Sequence, residues 1–170
     1  MTLIVEDGTE VESANGYVTL AEARAYALAR GVTLSATDSV VEVLVIKAMD
    51  YLESLDNQFK GIRKTDTQPL SWPRNYVYRD DNGCEYPAIP KELKNALNQL
   101  ILDSNTFDIN PNRLLTDKGQ KIKERVEGAI EVEYAEQDQL TKPMLRKFDA
   151  MIQPLLKSGG GGFVANITRM

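Results

Sequence analysis

Apolar residues recur at helical spacing over four stretches of this chain, and each stretch carries its own start or stop signal. Thr19-Leu20-Ala21-Glu22 matches a capping box, in which hydroxyl and carboxylate satisfy free amides at a helix start. The alanine-rich run that follows is expected to continue to Arg30 and stop at Gly31. From about Asp38 to Leu55, Val41, Leu44, Val45, Ala48, Leu52 and Leu55 mark one helical face. Val40, Val43, Ile46 and Met49 add a second strip, which predicts a helix buried on more than one side. A third helix begins at Pro90, a residue suited to a first turn, and ends near Asn105. Its stripe is Leu93, Ala96, Leu97, Leu100 and Ile101, while Lys91, Lys94, Asn95, Asn98 and Asp103 are expected to face out. Thr141 is read as the cap of a last helix carrying Met144, Leu145, Phe148 and Ile152, ended by Pro154.

Between these stretches the period shortens. Residues 2–18 read as short extended segments broken by Asp7-Gly8 and Asn15-Gly16. Tyr76-Val77-Tyr78 and Cys84-Glu85-Tyr86 flank Asp81-Asn82-Gly83, which predicts a small hairpin near 76–86. Apolar residues at 122 and 126, then at 130, 132 and 134, predict a β-ribbon near 121–134 with one buried face. Residues 57–89 are otherwise irregular, with prolines at 69, 73 and 87. The one tryptophan, Trp72, is expected to plug the edge of the core and anchor this loop. The fold class is therefore mainly α (α+β): a small bundle of about four helices with short β segments.

The C-terminus breaks the pattern. Gly159, Gly160, Gly161 and Gly162 hold no fixed conformation cheaply, so residues 158–162 read as a hinge. Residues 163–170 are apolar and β-prone, unlike a solvated tail. Phe163, Val164, Ile167 and Arg169 are the candidate partner-binding residues of an extended arm, with residues 1–157 as the helical domain.

Composition narrows the chemistry. The 170 residues contain no histidine, which removes the commonest general base and metal ligand. The acids show no metal-loop spacing, and the glycine run lacks the Lys-Ser/Thr of a phosphate-binding loop. Cys84, the single cysteine, excludes an internal disulfide framework. A non-catalytic protein without cofactor or metal is expected. No run is long and apolar enough for a bilayer, and Glu6 and Asp7 interrupt any signal-peptide pattern, so a cytoplasmic site of synthesis is expected. Net charge is −5, and residues 1–60 hold ten acids against four bases. A freestanding nucleic-acid binder usually shows the opposite balance. The one modest basic cluster lies within 113–125; its Lys118, Lys121, Lys123 and Arg125 are candidates for a DNA-facing or inter-subunit surface.

Five segments together resemble a phage protein family. They are residues 3–9, residues 14–23, Ser71-Trp72-Pro73-Arg74, Ile89-Pro90 and Ile122-Lys123-Glu124-Arg125-Val126. The likeness covers about residues 2–156. The family is often labelled DnaT-like single-stranded-DNA-binding protein, and its genes resemble those of head–tail connector adaptors of tailed bacteriophages. The resemblance implies a virion structural protein at the neck, forming a ring of twelve copies beneath a portal protein. Such a ring extends the channel for genomic double-stranded DNA and gives tail or stopper proteins a landing surface. The alternative is a single-stranded-DNA-binding replication accessory, which needs a basic groove lined with stacking aromatics.

Overall fold

The computed structural model describes residues 2–109, 121–126, 130–134 and 145–157. Helices α1 (Leu20–Leu28), α2 (Asp38–Glu53), α3 (Lys91–Thr106) and α4 (Arg146–Ile152) dominate it. Short antiparallel pairs complete the set: β1 (Ile62–Arg63) with β2 (Arg74–Asn75), and β3 (Lys121–Val126) with β4 (Ile130–Tyr134). The protein is mostly helical, of the α+β class. It divides into two compact units, residues 1–109 with 145–170, and residues 110–144.

In the first unit, α3 packs against α1, α2 and α4. Both arms of the capping box at α1 form: Glu22 N–H donates to Thr19 Oγ1, and Thr19 N–H donates to Glu22 Oε2 at 2.7 Å. The helix stops at Leu28, two residues before Arg30, because Gly31 adopts φ +73° and the Val32 N–H turns back to the Ala27 carbonyl. Ala23 and Ala27 are fully buried, as small residues at a close helix crossing should be.

Helix α2 buries Val41, Val45, Ala48, Met49 and Leu52. The expected second buried strip does not form. Of its four residues only Met49 is buried, while Val40 and Val43 are 48% and 54% exposed. Only one side of α2 meets α3 and α1; the other faces solvent beside the N-terminal segment. For α3 the correction runs the other way. Helices surround it, so Asn98 and Gln99 are buried with the leucines, and Asn98 does not face out. Pro90 stands at the N-cap of α3, one residue before its first turn. Helix α4 starts at Arg146 with Leu145 as N-cap, so Thr141 is not its cap; residues 141–144 lie outside the described residues. Pro154 sits in the 3-10 turn Gln153–Leu155 that closes the helix, as expected.

The extended N-terminus forms a single parallel bridge, Val5 with Gly16, closed by the Glu6 N–H to Gly16 carbonyl bond of 2.8 Å. Buried Glu6 keeps its carboxylate solvated by backbone alone: the N–H groups of Gly8, Glu10 and Val11 donate to it at 2.7–3.0 Å.

One network joins this segment to the rest. The Tyr17 hydroxyl donates to Glu53 Oε1 at 2.8 Å and accepts the Trp72 N–H at 3.0 Å. The Ser71 N–H and hydroxyl both donate to Glu53 Oε2, at 2.8 and 2.6 Å. Burial, then the adjacent Glu53 carboxylate, drives the Tyr17 pKa far above the usual phenol range, so the hydroxyl stays a donor. Trp72 is fully buried, edge-on to Phe59 with centroids 5.9 Å apart. It anchors the 57–89 loop in the core as the sequence predicts. Tyr17→Phe removes one acceptor and one donor from this buried joint. It is expected to lower stability by about 1–3 kcal/mol. Urea unfolding followed by Trp72 fluorescence should show a lower midpoint with unchanged slope.

The second unit contains the ribbon at the expected place. Its register sets Lys123 opposite Glu133, Arg125 opposite Glu131, and Lys121 opposite Tyr134 across an irregularity between Lys121 and Lys123.

Candidate nucleic-acid interface

Among the described residues, the loop layer between α2 and α3 gathers most of the exposed aromatic surface. Val77 is buried while Tyr76 and Tyr78, on either side of it, are 65% and 47% exposed. The expected hairpin is present but narrow. Tyr78 pairs with Glu85 as one bridge, flanked by Tyr86 N–H to Val77 carbonyl and Arg79 N–H to Cys84 carbonyl, both 2.8 Å. Tyr76 itself holds φ +61°, an unusual backbone for a bulky residue.

Pairing of β1 with β2 brings residues 60–63 beside this hairpin, setting Ile62 opposite Asn75. Gly61 makes the approach possible: at φ +69°, a Cβ there would collide with the Asn75 carbonyl. Exposed Ile62 thereby joins the layer that carries Tyr76 and Tyr78, with Arg63 next to it in the chain, Arg79 next to Tyr78, and Lys60 bonded to Asp80.

These cations differ in what holds them. Arg74 is a rivet. Its side chain is 7% exposed, and its guanidinium donates to the carbonyls of Lys60, Gly61 and Ser71 and to Asp56 Oδ1 at 2.9 Å. Arg63 reaches the same carboxylate from the outside at 3.0 Å. Lys60 binds both oxygens of Asp80 at 2.8 and 2.9 Å, but Asp80 is 79% exposed. Lys64 pairs with Glu10 at 2.7 Å. The Arg79 guanidinium lies 4.9 Å from the centre of the Tyr86 ring. Over residues 56–89, five bases (Lys60, Arg63, Lys64, Arg74, Arg79) meet five acids (Asp56, Asp66, Asp80, Asp81, Glu85), so the layer is formally neutral.

The other sequence-derived candidates fall elsewhere. Lys121, Lys123 and Arg125 lie on β3, and the ribbon strands balance three bases against Glu124, Glu131 and Glu133. Lys118, the glycine run 159–162, and Phe163, Val164, Ile167 and Arg169 lie outside the described residues. Trp72, being buried, offers no face for stacking. Lys60 and Arg63 were missed as companions of the tyrosines. Only strand pairing brings them there, and two-residue strands leave no periodic signal. Among the described residues no cluster of acids or thiols has the arrangement to hold a metal ion. No helix in those residues is long and apolar enough to cross a membrane.

A family model described as "Putative DnaT-like ssDNA binding protein" matches residues 1–170. The chain belongs to this family. The match extends past residue 156, where the sequence resemblance stopped, and takes in the glycine run and the arm. The comparison does not point to a head–tail connector. No curated protein and no solved structure matches the chain.

Asp56 ties the layer together, and its ionisation carries a pH signature. Partial burial opposes the charge, but hydrogen bonds from Arg63 and Arg74 outweigh it and hold the pKa below the ordinary carboxylate value. A depressed folded pKa means stability is full above the unfolded value of about 3.9 and drains as pH falls below it. Acid titration of the unfolding free energy should show this slope, and Asp56→Asn should flatten it while lowering stability at neutral pH.

Proposed function

We propose that this protein acts by binding, not catalysis, and that its ligand is single-stranded DNA held on the tyrosine face of the loop layer. The observation that carries the reading is the pair Tyr76 and Tyr78, exposed on either side of buried Val77, on a loop layer that also holds Lys60, Arg63 and Arg79. Aromatic faces accept any base, so stacking suits strands of unspecified sequence. Family membership along the whole chain supports the same ligand. The role that fits is a single-strand-binding accessory in DNA replication.

The electrostatics set the character of this binding. Lys60 gives up little by leaving exposed Asp80 for a phosphate, because such surface pairs contribute about 0–1 kcal/mol. Arg74 cannot leave without opening the loop. With about three cations available, log affinity against log salt should have a slope no steeper than about −2. Anisotropy titrations of a labelled oligonucleotide at several salt concentrations measure this directly. Tyr76→Ala with Tyr78→Ala should weaken binding by about 1–3 kcal/mol per lost stack. Undetectable binding at low salt would overturn the reading.

The neutral layer and the net charge of −5 favour one second reading, a ring-forming adaptor at a phage neck. Here a channel that lets double-stranded DNA slide is better without strong positive charge. The portal, neighbouring subunits and tail or stopper proteins would be the partners, with Phe163, Val164, Ile167 and Arg169 as contacts. Native mass measurement with the portal separates the two: comigration as a ring, together with failed DNA titration, selects the adaptor.

A further inference from the structure

The solvent side of α2 holds an apolar groove of about 250 Å³ between the helix and the N-terminal segment. Leu3 and Asn15 form one wall; Glu42, Val43, Ile46 and Lys47 form the other. Val43 is more than half exposed on this wall.

The chain itself offers a cover. Exposed positions 40, 43, 47, 50, 54 and 57 run in one line down α2 and off its end. At the foot of that line the described chain ends: Lys157 N–H donates to the Gln58 carbonyl and its Nζ to the Asn57 carbonyl, at 2.8 and 3.0 Å. Lys47, the near end of the groove, is six residues or about 9 Å at helical rise from Glu53, where α2 ends, and the turn and 3-10 residues on to Asn57 add about 8 Å at most at about 2 Å each. Six residue steps lead from Lys157 to Phe163, through serine and four glycines. A glycine-rich linker of that length has a root-mean-square span of about 13 Å and a limit of about 20 Å. Reach and need agree. The groove then runs from Lys47 to Ser39, about 12 Å along the helix. Phe163 to Ile167, extended, covers about 13 Å.

We propose that residues 163–167 of the same chain occupy this groove, laying Phe163, Val164 and Ile167 over Val43 and Ile46. A short tether whose span matches the distance gives an effective concentration near millimolar, so a modest apolar contact suffices. The segment is then an internal cover for α2 that a competing partner must displace. This goes beyond the DNA-binding reading and is independent of it.

Chymotrypsin cleavage after Phe163, read by mass as release of residues 164–170, tests the proposal on the full chain, with cleavage after exposed Phe107 as internal control. Release should be slow and independent of protein concentration, and about tenfold faster or more in Val43→Glu, as loss of a tethered contact requires. Should that variant misfold, deletion of residues 159–161 alters no described residue and shortens the reach to about 10 Å. It should accelerate release equally. Release that is equally fast in all three proteins overturns the proposal, as does protection that grows with concentration, which assigns the groove to a second copy. Slow release unchanged by either variant overturns it too.

Discussion

A half-buried carboxylate holds the first unit together. Glu53, at the last turn of α2, takes one hydrogen bond from Tyr17 and two from Ser71, and the Tyr17 hydroxyl passes the connection on to the Trp72 backbone. Three distant stretches of chain thus meet at one polar joint beside the largest side chain in the core. Regular pairing orders little of the loop layer, since β1 and β2 are two residues each. A charge in this position is tolerable only when its partners are complete. The phenol must therefore remain protonated, and its surroundings see to that.

The surface chemistry descends from this joint. With Ser71 and Trp72 fixed, Arg74 is drawn inward to bind loop carbonyls and Asp56, which withholds its charge from the surface. Of the cations left outside, Lys60 answers to exposed Asp80, Arg63 and Lys64 to Asp56 and Glu10, and Arg79 lies over the Tyr86 ring. A layer built this way can present rings to a ligand while adding little long-range attraction, so contact geometry rather than steering determines what it holds.

Much of this was legible in the sequence. The helices, the capping box, the ribbon and the anchoring of Trp72 follow from periodicity and local chemistry, which act over a few residues. What misled was anything that depends on neighbours. Val40 and Val43 have the same hydropathy as the buried residues of α2, and nothing in their spacing says whether another element covers them. Asn98 and Gln99 are polar, yet both lie on the part of α3 that is buried with its leucines. Glu6 and Glu53 look like surface acids, although each serves as an acceptor for loop backbone; the Asp7-Gly8 and Ser71-Trp72-Pro73 turns beside them were the available hint. The candidate interface was half visible. Its tyrosines lie in a readable hairpin, but Lys60 and Arg63 come to it through a strand pair too short to leave a pattern.

The central position of α3 also bears on the order in which the protein is made. Its faces are completed by α1 and α2, which precede it, and by α4, which is translated only after the whole of residues 110–144. A ribosome that has released residue 109 has supplied the helix but not Phe148, Ile152 or Leu155, which finish its packing. Until those arrive, the nascent chain carries an open apolar seam, and synthesis of the intervening unit sets how long it stays open.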